Sequence, residues 1–127
     1  MKEEVVKYRR ERARETLEEA EIMLKNKKLF ATVNRIYYAI FYEVLALLLM
    51  KGLSSSKHSG VRSLFNREFM KSGIISEEHG DFYNRMFGFR QRGDYEDFVE
   101  FDMEEVKRWL DRAKDFINSV EQVIEKI

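Results

Sequence analysis

Cysteine and proline are absent from the 127-residue chain, and histidine occurs only as His58 and His79. Without cysteine there is no disulfide framework and no thiolate metal centre, which fits a reducing compartment. The histidines are far apart in sequence and lack a partner set, so zinc ligation is not expected. The absence of proline removes the strongest interruption a helix can meet. Charge of one sign does not dominate either: 23 Lys and Arg balance 23 Asp and Glu, so no overall field draws the chain to nucleic acid or an anionic membrane. Asparagine and glutamine are scarce while charged residues reach 36%, a bias of heat-adapted proteins that the six methionines run against. No cationic start followed by an apolar run and a small-residue cleavage site is visible, so the cytoplasm is the expected location. Neither a glycine-rich phosphate loop nor an activated nucleophile motif is found.

What is present is helical periodicity. Val6, Ala13, Leu17, Ala20 and Leu24 recur at helical spacing over residues 3–26, and the cations of "NKK" close that segment. "LFATVNRIYYAIFYEVLALLLM", Leu29 to Met50, is long enough to span a bilayer. It carries Asn34, Arg35 and Glu43, however, and a charge at mid-membrane costs about 2.5–3.5 kcal/mol, so a buried core helix is the better reading. Val61, Leu64, Phe65 and Phe69 predict a third helix ending before Gly73. Ser76 before Glu77 and Glu78 predicts a helix start, with Phe82, Met86 and Phe89 as its apolar stripe. Asp102 with Glu105 resembles a capping box for a last helix lined by Val106, Leu110, Ala113, Ile117, Val120 and Ile124. No period-two run competes. The expected fold is all-α, an antiparallel up-and-down bundle of four to five helices forming a single domain over residues 1–127.

Two polar features stand out. Arg35 lies inside the apolar helix with Tyr38 and Tyr42 on its face, and a cation buried there needs a hydrogen-bonded carboxylate. Asp94 and Glu43 are the candidates, with Arg35–Asp94 the expected structural ion pair. The second feature is "GFRQRGDYEDF", residues 88–98, where two arginines are followed at once by acids and a phenol. Arg90 and Arg92 could hold a phosphate through bidentate guanidinium contacts. Cations at a helix end are also favoured by the dipole alone. The acids from Asp94 to Glu105 fix no ligand count, and carboxylates near a helix start are favoured in the same way. No metal and no cofactor is expected.

"NRIYYAIFYEVLALLL", "KHSGVRSLFNREFMKSG" and "RQRGDYED" together resemble a family of small archaeal and bacterial HEPN-domain proteins. The shared pattern is R-x-Y-Y-A-x-F, then H-x-G-V, then F-x-x-x-F with K-[ST]-G, then R-x-x-x-D-Y. It covers residues 29–98, and its ordered combination is specific. The resemblance implies a helical bundle that commonly dimerises and often acts beside a small nucleotidyltransferase. In toxin members an R-x(4–6)-H motif at a dimer cleft cuts RNA without metal.

Here the motif departs from the toxin form, because Tyr95 stands where R-x4-H counted from Arg90 would place histidine. A histidine near pKa ~6.5 exchanges protons at neutral pH, whereas tyrosine near ~10 is a poor base. Arg90, Tyr95 and His58 are the catalytic candidates, His58 only if the fold brings it near. Arg90, Arg92 and Tyr95 are the candidate phosphate- or nucleotide-binding set, with Asp94 orienting Arg90 or Arg35. The leading expectation is a nucleotide- or RNA-associated accessory protein, partner of a small nucleotidyltransferase in a toxin–antitoxin-like module. It would bind nucleotides or short RNA with feeble or no cleavage, and Tyr95→His would rebuild the toxin spacing. A metal-independent ribonuclease toxin and a structural homodimer without a catalytic role are the alternatives. Ten Phe, six Tyr and one Trp exceed what one thin bundle readily hides, which with the resemblance points to a homodimer.

Overall fold

The computed structural model describes all 127 residues. Five α-helices follow in order: α1 (Lys2–Lys25), α2 (Leu29–Met50), α3 (His58–Phe65), α4 (Glu77–Tyr95) and α5 (Met103–Lys126). The expected all-α bundle is therefore what the chain forms. Ser76 and Asp102 cap α4 and α5, accepting hydrogen bonds from the backbone N–H of His79 and Glu105. Each such cap contributes about 1 kcal/mol.

α2 is the centre of the bundle, packed against α1, α4 and α5 and touched by α3. Ile36, Tyr37, Ile40, Leu47 and Leu48 are all excluded from solvent, and each large apolar side chain so buried contributes about 1.5–3 kcal/mol. By length and composition α2 alone could cross a membrane, yet most of its apolar surface is taken up inside the bundle.

The third helix differs from its expected form. Its α-helical part stops at Phe65, and residues Asn66–Met70 make one wider π-helical turn, closed by Lys71 N–H donating to the Asn66 carbonyl at 2.8 Å. Phe65 and Phe69 are both fully buried, so the apolar spacing that suggested an α-helix is kept while the backbone widens. Gly73 follows at φ +81, a left-handed conformation that favours glycine.

Glu43 of α2 does not pair with Arg35. It is wholly buried and faces Glu121 of α5 and Arg10 and Arg14 of α1. Arg10 holds Glu121 through two hydrogen bonds of 2.8 and 2.9 Å, and Arg14 adds one of 3.1 Å. Burial, reinforced by the hydrogen bond to Glu121, pushes the Glu43 carboxyl up to about 10. Against the opposing effect of burial, the Glu43 hydrogen bond and Arg10 hold Glu121 down to about 2. Two carboxylates could not hydrogen-bond each other. Both Glu43 oxygens are buried with no protein donor aimed at them, so Glu43 keeps its proton, and Glu121 is the acceptor beside it that this proton can serve.

Candidate functional site

Three helices converge on one polar cluster. α2 supplies Asn34, Tyr37 and Tyr38, whose i, i+3, i+4 spacing places them on a common face. α3 supplies His58 and, one turn on, Arg62; α4 supplies Arg90 and, one turn on, Asp94. Arg90 is the one buried arginine of the chain, only 6% exposed. Its guanidinium carbon lies 4.6 Å from the centre of the Tyr37 ring and 5.8 Å from that of Tyr38. A desolvated cation–aromatic contact of this kind contributes about 2 kcal/mol. An Asp94 carboxylate oxygen stands 3.6 Å from Arg90 Nη1, and the Asn34 amide donates to the same carboxylate at 3.3 Å. Arg90 Nε is buried and has no hydrogen-bond partner. A buried donor left so costs about 1–3 kcal/mol, more when it carries charge.

His58 belongs to the same cluster. Its Nδ1 is 2.8 Å from the Tyr37 hydroxyl, and its ring stacks on Phe41 at 4.2 Å with the planes nearly parallel. Burial, and then the nearby positive charge of Arg90, lower the His58 pKa from its ordinary value of 6.5. The imidazole is thus neutral at pH 7. Burial pushes the Tyr37 phenol up to about 12 against the pull of Arg90, so Tyr37 keeps its proton. Arg62 caps the far side with its guanidinium carbon 4.2 Å from the centre of the Phe87 ring. The cluster therefore holds a permanent buried cation, a neutral imidazole in a fixed orientation and a phenol between them.

The residues singled out in the sequence divide here. Arg90, Asp94 and His58 come together. Arg35 is not the buried cation, and its expected pairing with Asp94 is replaced. Arg35 is half-buried, bonded to Glu19 of α1 at 3.1 Å and to the Asn34 side-chain oxygen at 2.8 Å. Asp94 instead sits one turn beyond Arg90 on the same helix, within reach of that arginine. Arg90 and Arg92 cannot form one bidentate pair, because residues two apart on a helix point to opposite sides. Arg92 is exposed and turns towards Phe89, Phe101 and Trp109. Tyr95, 77% exposed at the end of α4, lies outside the cluster, so a histidine placed there would project into solvent instead of joining Arg90.

Tyr37, Asn34 and Arg62 were missed as site residues. The first two lie within "NRIYY" and the third just beyond "KHSGV", but only the fold brings those segments to "RQRGD". A groove of about 570 Å³ opens beside Asp94, with Met23, Phe30 and Ala31 on its apolar side and Asn34 on its polar side.

A HEPN domain model matches residues 6–123. The chain is 55% identical over 126 residues to a UPF0332 protein of Thermotoga maritima, an alignment covering 99% of this chain and 96% of that one. Two proteins of Methanocaldococcus jannaschii, each named "Putative toxin", are 34% identical over 114 residues. Those alignments cover 90% and 85% of this chain and 78% and 85% of theirs. The match extends beyond the motif-bearing helices into α1 and α5, which frame the cluster around α2. The chain belongs to the HEPN-domain family.

Proposed function

We propose that this HEPN protein is RNA- or nucleotide-associated and takes up a phosphate group at Arg90. The observation that carries this reading is the buried Arg90 guanidinium, held over Tyr37 and propped by Asp94, whose Nε lacks a partner. An anionic oxygen is the ligand such a donor satisfies best, and a guanidinium matches phosphate geometry. The adjoining groove offers an apolar wall for a base and the Asn34 amide at its edge. The names of the two Methanocaldococcus proteins favour a toxin-like setting, and the motif resemblance adds a small nucleotidyltransferase as the partner. A homodimer fits the same reading, since Tyr95 is largely and Phe98 fully exposed just past the site, where a second subunit could cover them.

The test is binding of a short labelled RNA at low salt, followed by fluorescence anisotropy. Arg90→Lys should weaken binding and Arg90→Met should lower it by at least about tenfold, the scale of one lost charge-assisted contact. Affinity should fall as salt is raised. Equal binding by the parent and Arg90→Met, with both folded by circular dichroism, would remove the assignment.

A further inference from the structure

We infer that the groove between the π-helical turn and α4 is a second ligand site, which takes a ribonucleotide unit by its base, ribose and phosphate. The inference goes beyond the Arg90 site and uses none of its residues. The groove has a volume of about 590 Å³, within the range that holds a nucleotide-sized ligand. Its two walls meet closely. Gly80 of α4 permits this, since a Cβ there would overlap the Met70 side chain of the turn. The wider backbone at Asn66–Met70 is itself a feature often kept at functional sites, and across the contact Asn66 meets Asn84 of α4.

The two side-chain amides bond reciprocally at 3.1 and 3.2 Å, and Asn84 Nδ2 also donates to the Gly80 carbonyl at 3.0 Å. A carbonyl can only accept, so this last bond fixes which way the Asn84 amide faces, and reciprocity then fixes Asn66. Both N–H groups of Asn84 are thereby used. One N–H of Asn66 and a lone pair on each amide oxygen stay free. A donor beside acceptors, half-buried in the groove, matches the edge of a nucleobase, as side-chain amides match adenine. Met70, the one apolar residue of the lining, offers a face for the ring. Arg67 and Lys71 stand exposed at the rim, where a phosphate reaches both. Glu68 holds Arg67 Nε at 3.0 Å, which leaves the terminal nitrogens for that contact. Glu77 suits the ribose, whose hydroxyls donate where a carboxylate accepts. The same unit arrives either as a free nucleotide or as one residue of an RNA strand, since Asn66 follows directly on the helix that carries His58 and Arg62.

The test is nuclear magnetic resonance of the ¹⁵N-labelled full chain, in which the side-chain amides of Asn66 and Asn84 report directly. Adenosine 5′-monophosphate, ribose 5-phosphate and a short oligoadenylate are titrated separately. The mononucleotide should shift both side-chain amide signals and the backbone signals of Asn66–Lys71, and the shifts should saturate. Ribose 5-phosphate lacks the base, so it should move the Arg67 and Lys71 signals and leave the amide pair in place. Arg67→Ala with Lys71→Ala removes only exposed side chains, so the fold is kept, and should weaken the mononucleotide about tenfold. Saturation by the mononucleotide supports a free nucleotide as the ligand, and a response to the oligoadenylate alone supports a residue of a strand. Asparagine signals unmoved by either overturn the inference, and shifts confined to the surroundings of Arg90 would then leave the Arg90 reading standing. Undiminished binding by the double variant overturns it as well.

Discussion

Replacing Glu43 by glutamine should stabilise the protein, and increasingly so as pH rises. Glu43 is fully buried, and its carboxyl is pushed from an ordinary 4.5 up to about 10 by burial and by Glu121. A group whose folded pKa is raised imposes no cost below its unfolded pKa. The cost then grows as pH rises towards the folded value, because the unfolded chain releases the proton that the folded chain keeps. Each pH unit above the unfolded value adds about 1.36 kcal/mol, so holding the Glu43 proton at pH 7 costs about 3 kcal/mol. Glutamine removes that cost, since its amide has no proton to lose and can still donate to Glu121. It exchanges a charge-assisted bond from a carboxylic acid for a weaker one from an amide, a loss of about 1 kcal/mol. The expected net gain is about 2 kcal/mol at pH 7, near zero or slightly negative at pH 5, and larger at pH 8.5.

Urea denaturation of parent and Glu43→Gln at those three pH values measures this through the midpoints, provided the slopes agree. A difference that stays flat across pH would show that Glu43 is ionised in the fold and that the proton-sharing network does not exist. Glu121 has the opposite sign. Its carboxylate is held down to about 2, so its contribution is present at neutral pH and is lost as pH falls from the ordinary carboxyl range towards that value. The parent should thus lose stability in acid as well as in base.

Two further perturbations distinguish the arginines. Asp94→Asn should destabilise by about 1–2 kcal/mol in urea: Arg90 is buried, but Asp94 is one-third exposed, which reduces the cost of removing a partner. A parental midpoint would show that the 3.6 Å contact carries nothing. Arg35→Met should cost less than about 1 kcal/mol, since its pairing with Glu19 is half in solvent, and a larger loss would restore Arg35 as a buried structural cation.

The bundle was legible because its signals are local. Period-3.6 stripes, Ser76 and Asp102 as helix starts and the lack of proline all act within a few residues, and the helices fall where those signals place them. The π-helical turn was not legible, since Phe65 and Phe69 sit at a spacing that an α-helix would also satisfy. The opposed directions of Arg90 and Arg92 were legible as well, because residues two apart on a helix such as α4 lie on opposite sides. The exchange of Arg35 for Arg90 as the buried cation is of another kind. Both arginines have aromatic neighbours and a carboxylate candidate in sequence, and what separates them is depth, which depends on how α1 packs over α2. Glu19 on α1 meets Arg35 at the rim, whereas no helix but α2 itself, through Tyr37 and Tyr38, covers Arg90 with aromatic rings.

The histidine poses the same problem across a longer span. His58 starts a short helix after an irregular segment, and nothing in its neighbours fixes the direction that helix takes. The Tyr37 hydroxyl fixes it, from 21 residues earlier, with Phe41 one turn further along α2 providing the surface on which the ring lies. The tyrosine thereby relates a motif that lacks its histidine to a site that contains one. One buried phenol thus holds an imidazole from α3 and a guanidinium from α4 on the same face of α2.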